Sequence, residues 1–481
     1  MGEGFSRRFI RGVTSVSFGT VVKLLFAFVS ILVAVRLVSK EEFGLFVLIQ
    51  VIVYFLIVLS DFGLGVSSTK ALAQKDTKDE IISTVFIFRF IAIAFLSVLI
   101  LSGSRLFLFL FKSKKLVELS GLVVLFFALG SVDELFTRLL QGLHFYKKMA
   151  LAEIIASLSN LLLVLVFLLV FKEGVRGLLY AAIISSSFSF LFKFFSLPVR
   201  RVLFNFALLK KLFKFGFPLQ LNDFLSFIFL RVDVLMLGAM LNPMAVAIYE
   251  VSSKIPQGLR KIFESFRTVY FPHLCEAYAL KESELARGVL NHSLRIISFV
   301  CLLLTLVSFL FSKEIVGFLF SESYINSAPV FTLLMLALSV SLVDNILGTS
   351  LICAGFPSKP LAINVFTTIV NLTANLILIP RFGVLGAVYA TLLTVVSVNP
   401  AIVYFLKKRD IPFNVSFYLK PFFVFSMVCL LSLLGLHNVF FKLSMVVFFV
   451  LLSGLSSVIT KEDLFVFIQS LKKQKLGVSA L

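Results

Sequence analysis

From Val13 to Leu37 the chain runs through residues that water solvates poorly, and runs of that length recur along the whole sequence. A bilayer core about 30 Å thick needs roughly 20 apolar residues in a helix, the one open segment that pairs its backbone N–H and C=O groups internally. Such segments are read at 13–37, 44–66, 81–111, 117–140, 149–171, 175–197, 212–240, 244–272, 288–311, 327–354, 360–379, 383–406, 419–437 and 441–459. The expected fold is therefore an all-α integral membrane protein of about fourteen transmembrane helices. The segment 244–272 earns its place by position in the series, because its charges hide it from hydropathy. Hydrophobic residues make up 59% of the chain and charged ones 15%, against about 45–50% and 25% in soluble domains. No water-soluble domain is expected.

The first run follows Arg7, Arg8 and Arg11, is too long for a signal peptide, and is followed by no Ala-x-Ala site, so it reads as a retained helix. Placing the N-terminus inside puts Lys70, Lys75, Lys147, Lys148, Arg200, Arg201, Lys210, Lys211, Lys281 and Lys407 in inner loops. The outer loops then hold fewer basic residues, among them Lys40, Lys112, Lys172, Arg176, Lys313 and Lys442. That bias follows the positive-inside rule and gives an even helix count with both termini cytoplasmic.

Gly-Val-Arg-Gly-Leu-Leu-Tyr-Ala at 174–181 returns as Gly-Val-Leu-Gly-Ala-Val-Tyr-Ala at 383–390, each time after one apolar run and opening another. A duplicated unit is the economical explanation, and six helices per unit makes the halves parallel repeats. The expected organisation is an N-lobe at 1–197, a cytoplasmic linker at 198–211, a C-lobe at 212–406, two further helices in 407–460 and a cytoplasmic tail at 461–481. Repeats of this kind enclose a substrate site near the bilayer midplane and expose it alternately to the two sides.

Several classes drop out. Cys275, Cys301, Cys353 and Cys429 are scattered without a Cys-x-x-Cys pair and are expected as buried free thiols. His144, His273, His292 and His437 are equally dispersed, so no zinc or haem site is expected. The net charge of +20 is spread over short loops, which suits anionic membrane lipids and not nucleic acid. Without a Gly-x-x-x-x-Gly-Lys-Ser/Thr loop the chain is not expected to hydrolyse nucleotide. A membrane glycosyltransferase or polymerase would need larger outer loops than these, so no enzyme is expected.

An ionisable side chain at membrane depth costs about 2.5–3.5 kcal/mol and normally faces the bundle interior or water. In the eighth span Glu250, Lys254, Gln257, Lys261 and Glu264 recur at three- and four-residue steps, with Arg260 and Arg267 in an adjoining row. Glu250–Lys254 and Arg260–Glu264 have the spacing of i,i+4 pairs. Lys23, Arg89 and Arg231 add to a cationic tendency suited to phosphate oxygens. The alternative is that these cations serve as structural partners of acids such as Asp223, Asp233, Glu250 and Glu264.

Local patterns agree with one known group. Arg36-Leu-Val-Ser-Lys-Glu-Glu-Phe-Gly-Leu-Phe46, Asp61-Phe-Gly-Leu-Gly65, Phe215-Gly-Phe-Pro-Leu219, Asp233-Val-Leu-Met-Leu-Gly238 and Ala247-Ile-Tyr-Glu-Val-Ser-Ser-Lys254 come in an order that resembles the multidrug/oligosaccharidyl-lipid/polysaccharide exporter superfamily. Within it the chain is similar to prokaryotic polysaccharide flippases of the O-antigen type. The resemblance implies V-shaped lobes in a prokaryotic plasma membrane, moving a polyprenyl-pyrophosphate-linked oligosaccharide to the outer leaflet. It also implies membrane lipids as surroundings, and a polysaccharide polymerase and glycosyltransferases as partners. A cation-coupled multidrug exporter or a lipid II flippase of the same fold remains the alternative.

No cofactor is expected beyond a coupling Na⁺ or H⁺. By that resemblance Asp233, Asn371, Asn375 and Thr391 or Thr394 would supply oxygens to a hard cation, although asparagines also join helices by hydrogen bonds. Asp344, Asp133 and Glu134 are candidates for proton coupling, with Asp133 spaced to pair with Arg138.

Overall fold

The structure is a computed structural model that describes residues 2–74, 78–103, 110–111, 113–198, 202–280, 283–356, 358–409, 411, 413–435 and 438–459. The tail 461–481 and the loop residues Lys75, Lys112, Arg200, Arg201, Lys281 and His437 lie outside the described residues. The fold is all-α.

In chain order the helices are α1 (Gly2–Leu37), α2 (Lys40–Asp61), α3 (Leu64–Ala73), α4 (Lys78–Ser102), a short α5 (Lys114–Glu118), α6 (Ser120–Gly142), α7 (Tyr146–Leu165) and α8 (Gly174–Ser196). A π-helical turn, Val166–Val170, ends α7. Then come α9 (Phe206–Met240), α10 (Pro243–Ala279), α11 (Ser283–Leu319), α12 (Ala328–Cys353), α13 (Ser358–Phe382), α14 (Val384–Lys408), α15 (Val415–Ser432) and α16 (Val439–Leu455). Among the described residues nine segments are long and apolar enough to span by themselves: α1, α2, α4, α7, α8, α11, α12, α13 and α14. The expected fourteen rests, beyond these, on α6, α9 and α10, which have the length but carry charge, and on the shorter apolar parts of α15 and α16, Leu419–Ser432 and Val439–Leu455.

Packing divides the chain into two compact units, Met1–Glu250 and Val251–Leu481. In the first, α9 packs on α2, α3 and α4. The sequence repeat puts the expected boundary at 198–211, whereas packing marks where a helix rests, and α9 rests on the helices before it. The shared core joins Leu64, Leu72, Ile81, Val85, Leu135, Leu139, Leu209 and Leu212. In the second unit one core lies among α10, α11, α12 and α14, with Leu274, Leu294, Val343, Ile346 and Leu406 fully or almost fully enclosed. A second core, with Leu302, Leu306, Val428 and Phe449, holds α15 and α16 on α11.

Turn chemistry explains the motifs. Ser39 caps α2 by accepting from the Glu42 amide, while its hydroxyl donates to the Glu42 carboxylate at 3.1 Å. At the other end Phe62 and Gly63 are both left-handed, with φ of 51° and 75°. A Cβ on Gly63 would lie 2.1 Å from the Gly216 carbonyl oxygen, so the Asp61–Gly65 and Phe215–Leu219 motifs are two sides of one backbone contact. Both copies of the repeated motif share a backbone role: Gly174 and Gly383 open their helices at φ +54° and +61°.

The thiol expectation is half corrected. Cys275 and Cys353 form a disulfide across 78 residues, because the ends of α10 and α12 bring their Cα atoms to 4.5 Å. A pairing this distant in sequence leaves no spacing signal. Cys301 and Cys429 are free.

Candidate transport site

The polar residues inside the helices are gathered in a few places. In the first unit Arg89 of α4 is 2% exposed, its Nη1 3.2 Å from Asp61 Oδ1, and its Nε donates to the Ser131 carbonyl at 3.3 Å. Neither Nη atom of Arg89 has a hydrogen-bond acceptor in good geometry among the described residues. Asp61 is itself fixed, accepting from the Gly65 amide at 3.2 Å. Ser60 and Ser131 share a hydrogen bond of 2.9 Å beside it.

One turn along α6, Lys193 of α8 donates to both oxygens of Asp133 and to Thr137. Arg138 pairs with Glu134 at 2.9 Å. The expected Asp133–Arg138 pair is thereby corrected. The i,i+4 spacing of Glu134 suits Arg138 better than the i,i+5 of Asp133, and Asp133 turns to α8. A third polar thread links α1, α7 and α8, where Ser30 donates to Asn160 Oδ1 and Asn160 Nδ2 donates to Ser185.

The predicted substrate cations fall into three settings. Lys23 is exposed beside Glu153, 3.4 Å away on α7. Arg89 is enclosed as described, and Arg231 lies 3.4 Å from Glu250. Lys254 and Arg260 on α10 are half-buried, and Arg267 is exposed.

Of the predicted coupling residues Asp233, Asn371, Asn375 and Asp344 are buried and Thr391 is half-buried. Asp233 accepts from the Tyr249 hydroxyl at 2.7 Å in the first unit. In the second, Asn375 Nδ2 donates to Asn371 Oδ1 at 3.0 Å, and the Thr391 hydroxyl donates back to the Ala387 carbonyl. Asp344 of α12 accepts from Asn399 of α14 at 3.3 Å through one oxygen. Its other oxygen is buried without a hydrogen-bond partner among the described residues.

Sequence reasoning missed Lys193, Glu153, Asn160 and Asn399. For Lys193 a signal existed: a lone cation in one apolar run and the lone acids of another call for each other at membrane depth. Lys442, read as an outer-loop residue, is instead 7% exposed in α16 and paired with Glu314 of α11.

Comparison with known proteins sets this arrangement in a family. A probable low-salt glycan biosynthesis flippase, Agl15, of Haloferax volcanii is 26% identical over 167 residues, a stretch that spans 34% of either chain, about a third of that relative's length. The solved structure of the lipid II flippase MurJ in an inward closed conformation superposes with a TM-score of 0.75 at 17% identity, over 95% of this chain and all of that one. An inward-facing multidrug resistance MATE family transporter of the MOP superfamily superposes at 0.65, with 17% identity, over 83% of this chain and 99% of the other. These likenesses show the fold. The family model described as polysaccharide biosynthesis protein matches residues 31–329, more than half of the 481, and the chain belongs to that family.

Proposed function

We propose that this protein is a flippase that carries a polyprenyl-pyrophosphate-linked oligosaccharide from the cytoplasmic to the outer leaflet by alternating access, supplying surface polysaccharide synthesis. The membrane is a prokaryotic plasma membrane and both termini are cytoplasmic. The observation that carries the reading is the pair of half-buried cations Lys254 and Arg260, set within a helix of 37 residues in a polysaccharide-biosynthesis family member. Cations held at membrane depth match a cargo with a concentrated anionic group, whereas a cationic drug would favour acidic or aromatic surroundings. Translocation of this kind makes and breaks no covalent bond, so no catalytic residue is assigned.

An ion gradient, Na⁺ or H⁺, supplies the energy in this reading. The Asn371–Asn375 pair and the buried Asp344 are the groups to receive the ion. Glycosyltransferases build the cargo beforehand and a polysaccharide polymerase consumes it.

The test is export of lipid-linked glycan in a host lacking its own flippase. Arg260→Ala combined with Lys254→Ala is expected to abolish export while the protein still inserts in the membrane at normal level. Full export by the double variant would overturn the substrate role of these cations.

A further inference from the structure

A cavity of about 650 Å³ lies at one end of the first unit, where the α1–α2 turn, α5, the π-helical turn and the start of α8 meet. That volume is within the range of small-ligand sites. Its charged lining is Glu42, Glu118 and Glu173 with Lys115, Lys172 and Arg176, three of each sign. Among the described residues none of the six is joined to another as an ion pair, and Glu42 is engaged by the Ser39 hydroxyl.

The wall on the α7–α8 side departs from regular backbone geometry three times in nine residues. The π turn spans Val166–Val170, and Lys172 and Gly174 are left-handed at φ 56° and 54°. A left-handed lysine and a π turn are features that concentrate at working sites. A Cβ on Gly174 would lie 2.5 Å from Glu42 Oε1, so the glycine leaves room for that carboxylate.

The internal repeat separates what the fold requires from what the cavity requires. In the second copy of the motif Gly383 also has a positive φ at the helix start, but Phe382 and Leu385 stand where the first copy has Glu173 and Arg176. A positive-φ glycine at the helix start therefore does not need those charges.

We propose that this cavity is a saccharide-binding site for the uncharged sugar portion of the lipid-linked glycan, on the non-cytoplasmic side in the topology above. Sugar hydroxyls both donate and accept, so they are held by carboxylates and cations that are not already paired with each other. Leucine side chains in the lining, Leu168 and Leu169 among them, supply apolar surface for the C–H faces of a sugar ring. A pyrophosphate would require an excess of cations, which this lining lacks.

The identity of the sugar rests on the flippase reading; the existence of the site does not. The chain contains no tryptophan, so Leu169→Trp places a single emitter in the cavity wall. The full-length protein in detergent is titrated with the host's surface oligosaccharide released from its lipid by mild acid, and separately with inorganic pyrophosphate. A saturable emission shift with the oligosaccharide is expected, weakened about tenfold by Glu118→Gln and by Arg176→Gln in the same background, with pyrophosphate silent. Absence of a saturable shift, a shift insensitive to both substitutions, or a response to pyrophosphate alone would each overturn the site. Both substituted residues are exposed, so the folded protein is retained. Loss of export in the Lys254/Arg260 double variant without any tryptophan response sinks this site and leaves the flippase. A tryptophan response with export unaffected in that double variant does the reverse.

Discussion

Lys193 Nζ sits 2.7 Å from Asp133 Oδ1 and 2.8 Å from Oδ2, joining α8 to α6 with the lysine only 2% exposed. Removing one partner of a fully buried pair strands the other and costs about 3–5 kcal/mol, less where the stranded group is half-buried as Asp133 is, while replacing both by apolar residues of similar volume is often neutral. Lys193→Met is therefore expected to lower the melting temperature of the purified protein markedly, and Lys193→Met with Asp133→Leu to restore most of it. Thermal unfolding in detergent measures both. Additive losses would show that the two groups do not act as one unit.

The Gly63–Gly216 contact makes a second expectation. Gly63→Ala meets both an unfavourable φ of +75° and the Gly216 carbonyl oxygen, so α9 must shift on α2 and α3. Gly355 has a φ of +89° and open space around it. Gly355→Ala is expected to cost about 1 kcal/mol from the backbone alone, and Gly63→Ala clearly more. Limited proteolysis and thermal unfolding of the two variants separate the terms, and equal losses would remove the contact from the account.

These two cases show how far the sequence reaches. The Asp61–Gly65 and Phe215–Leu219 motifs are recognisable as strings because glycines at turns and close approaches tolerate few replacements. That the strings touch each other is a long-range fact. Helix-forming runs were legible because lipid demands about 20 apolar residues, and α10 was legible through its place in the series and its three- and four-residue charge spacing. Pairings were not. Arg138 chose Glu134 over Asp133 on helical geometry, Asp133 found Lys193 sixty residues away, and Cys275 found Cys353. Each depends on which helices adjoin, and hydrophobic patterning does not encode adjacency. The cavity bordered by Glu42, Lys115 and Arg176 was hidden for the same reason, since its walls come from three separate stretches of chain.

Coupling is tested through the buried amides. Asn371 and Asn375 bond to each other within α13 and are 4% and 0% exposed. If they ligate the driving ion, Asn371→Ala with Asn375→Ala is expected to remove the response of export to an imposed Na⁺ gradient. Asp344→Asn is expected to remove the response to an imposed pH gradient if the proton is the coupling ion. Vesicle export assays under each gradient decide between them, and a wild type indifferent to both would leave transport uncoupled.

The disulfide gives the last expectation. Closing a 78-residue segment between the ends of α10 and α12 restricts the unfolded chain, and bonds of this kind contribute about 2–4 kcal/mol. Peptide mapping without reductant should recover Cys275 linked to Cys353, with Cys301 and Cys429 alkylated as free thiols. Cys353→Ser is expected to lower the melting temperature, and reductant to bring the wild type down to the same value while leaving the variant unchanged. Cys301→Ser, which touches no bond, should not reproduce that pattern. A wild type that melts identically with and without reductant would show that the helix ends are held by the surrounding core, through residues such as Leu274, Ile346 and Leu351, and that the bond adds nothing measurable.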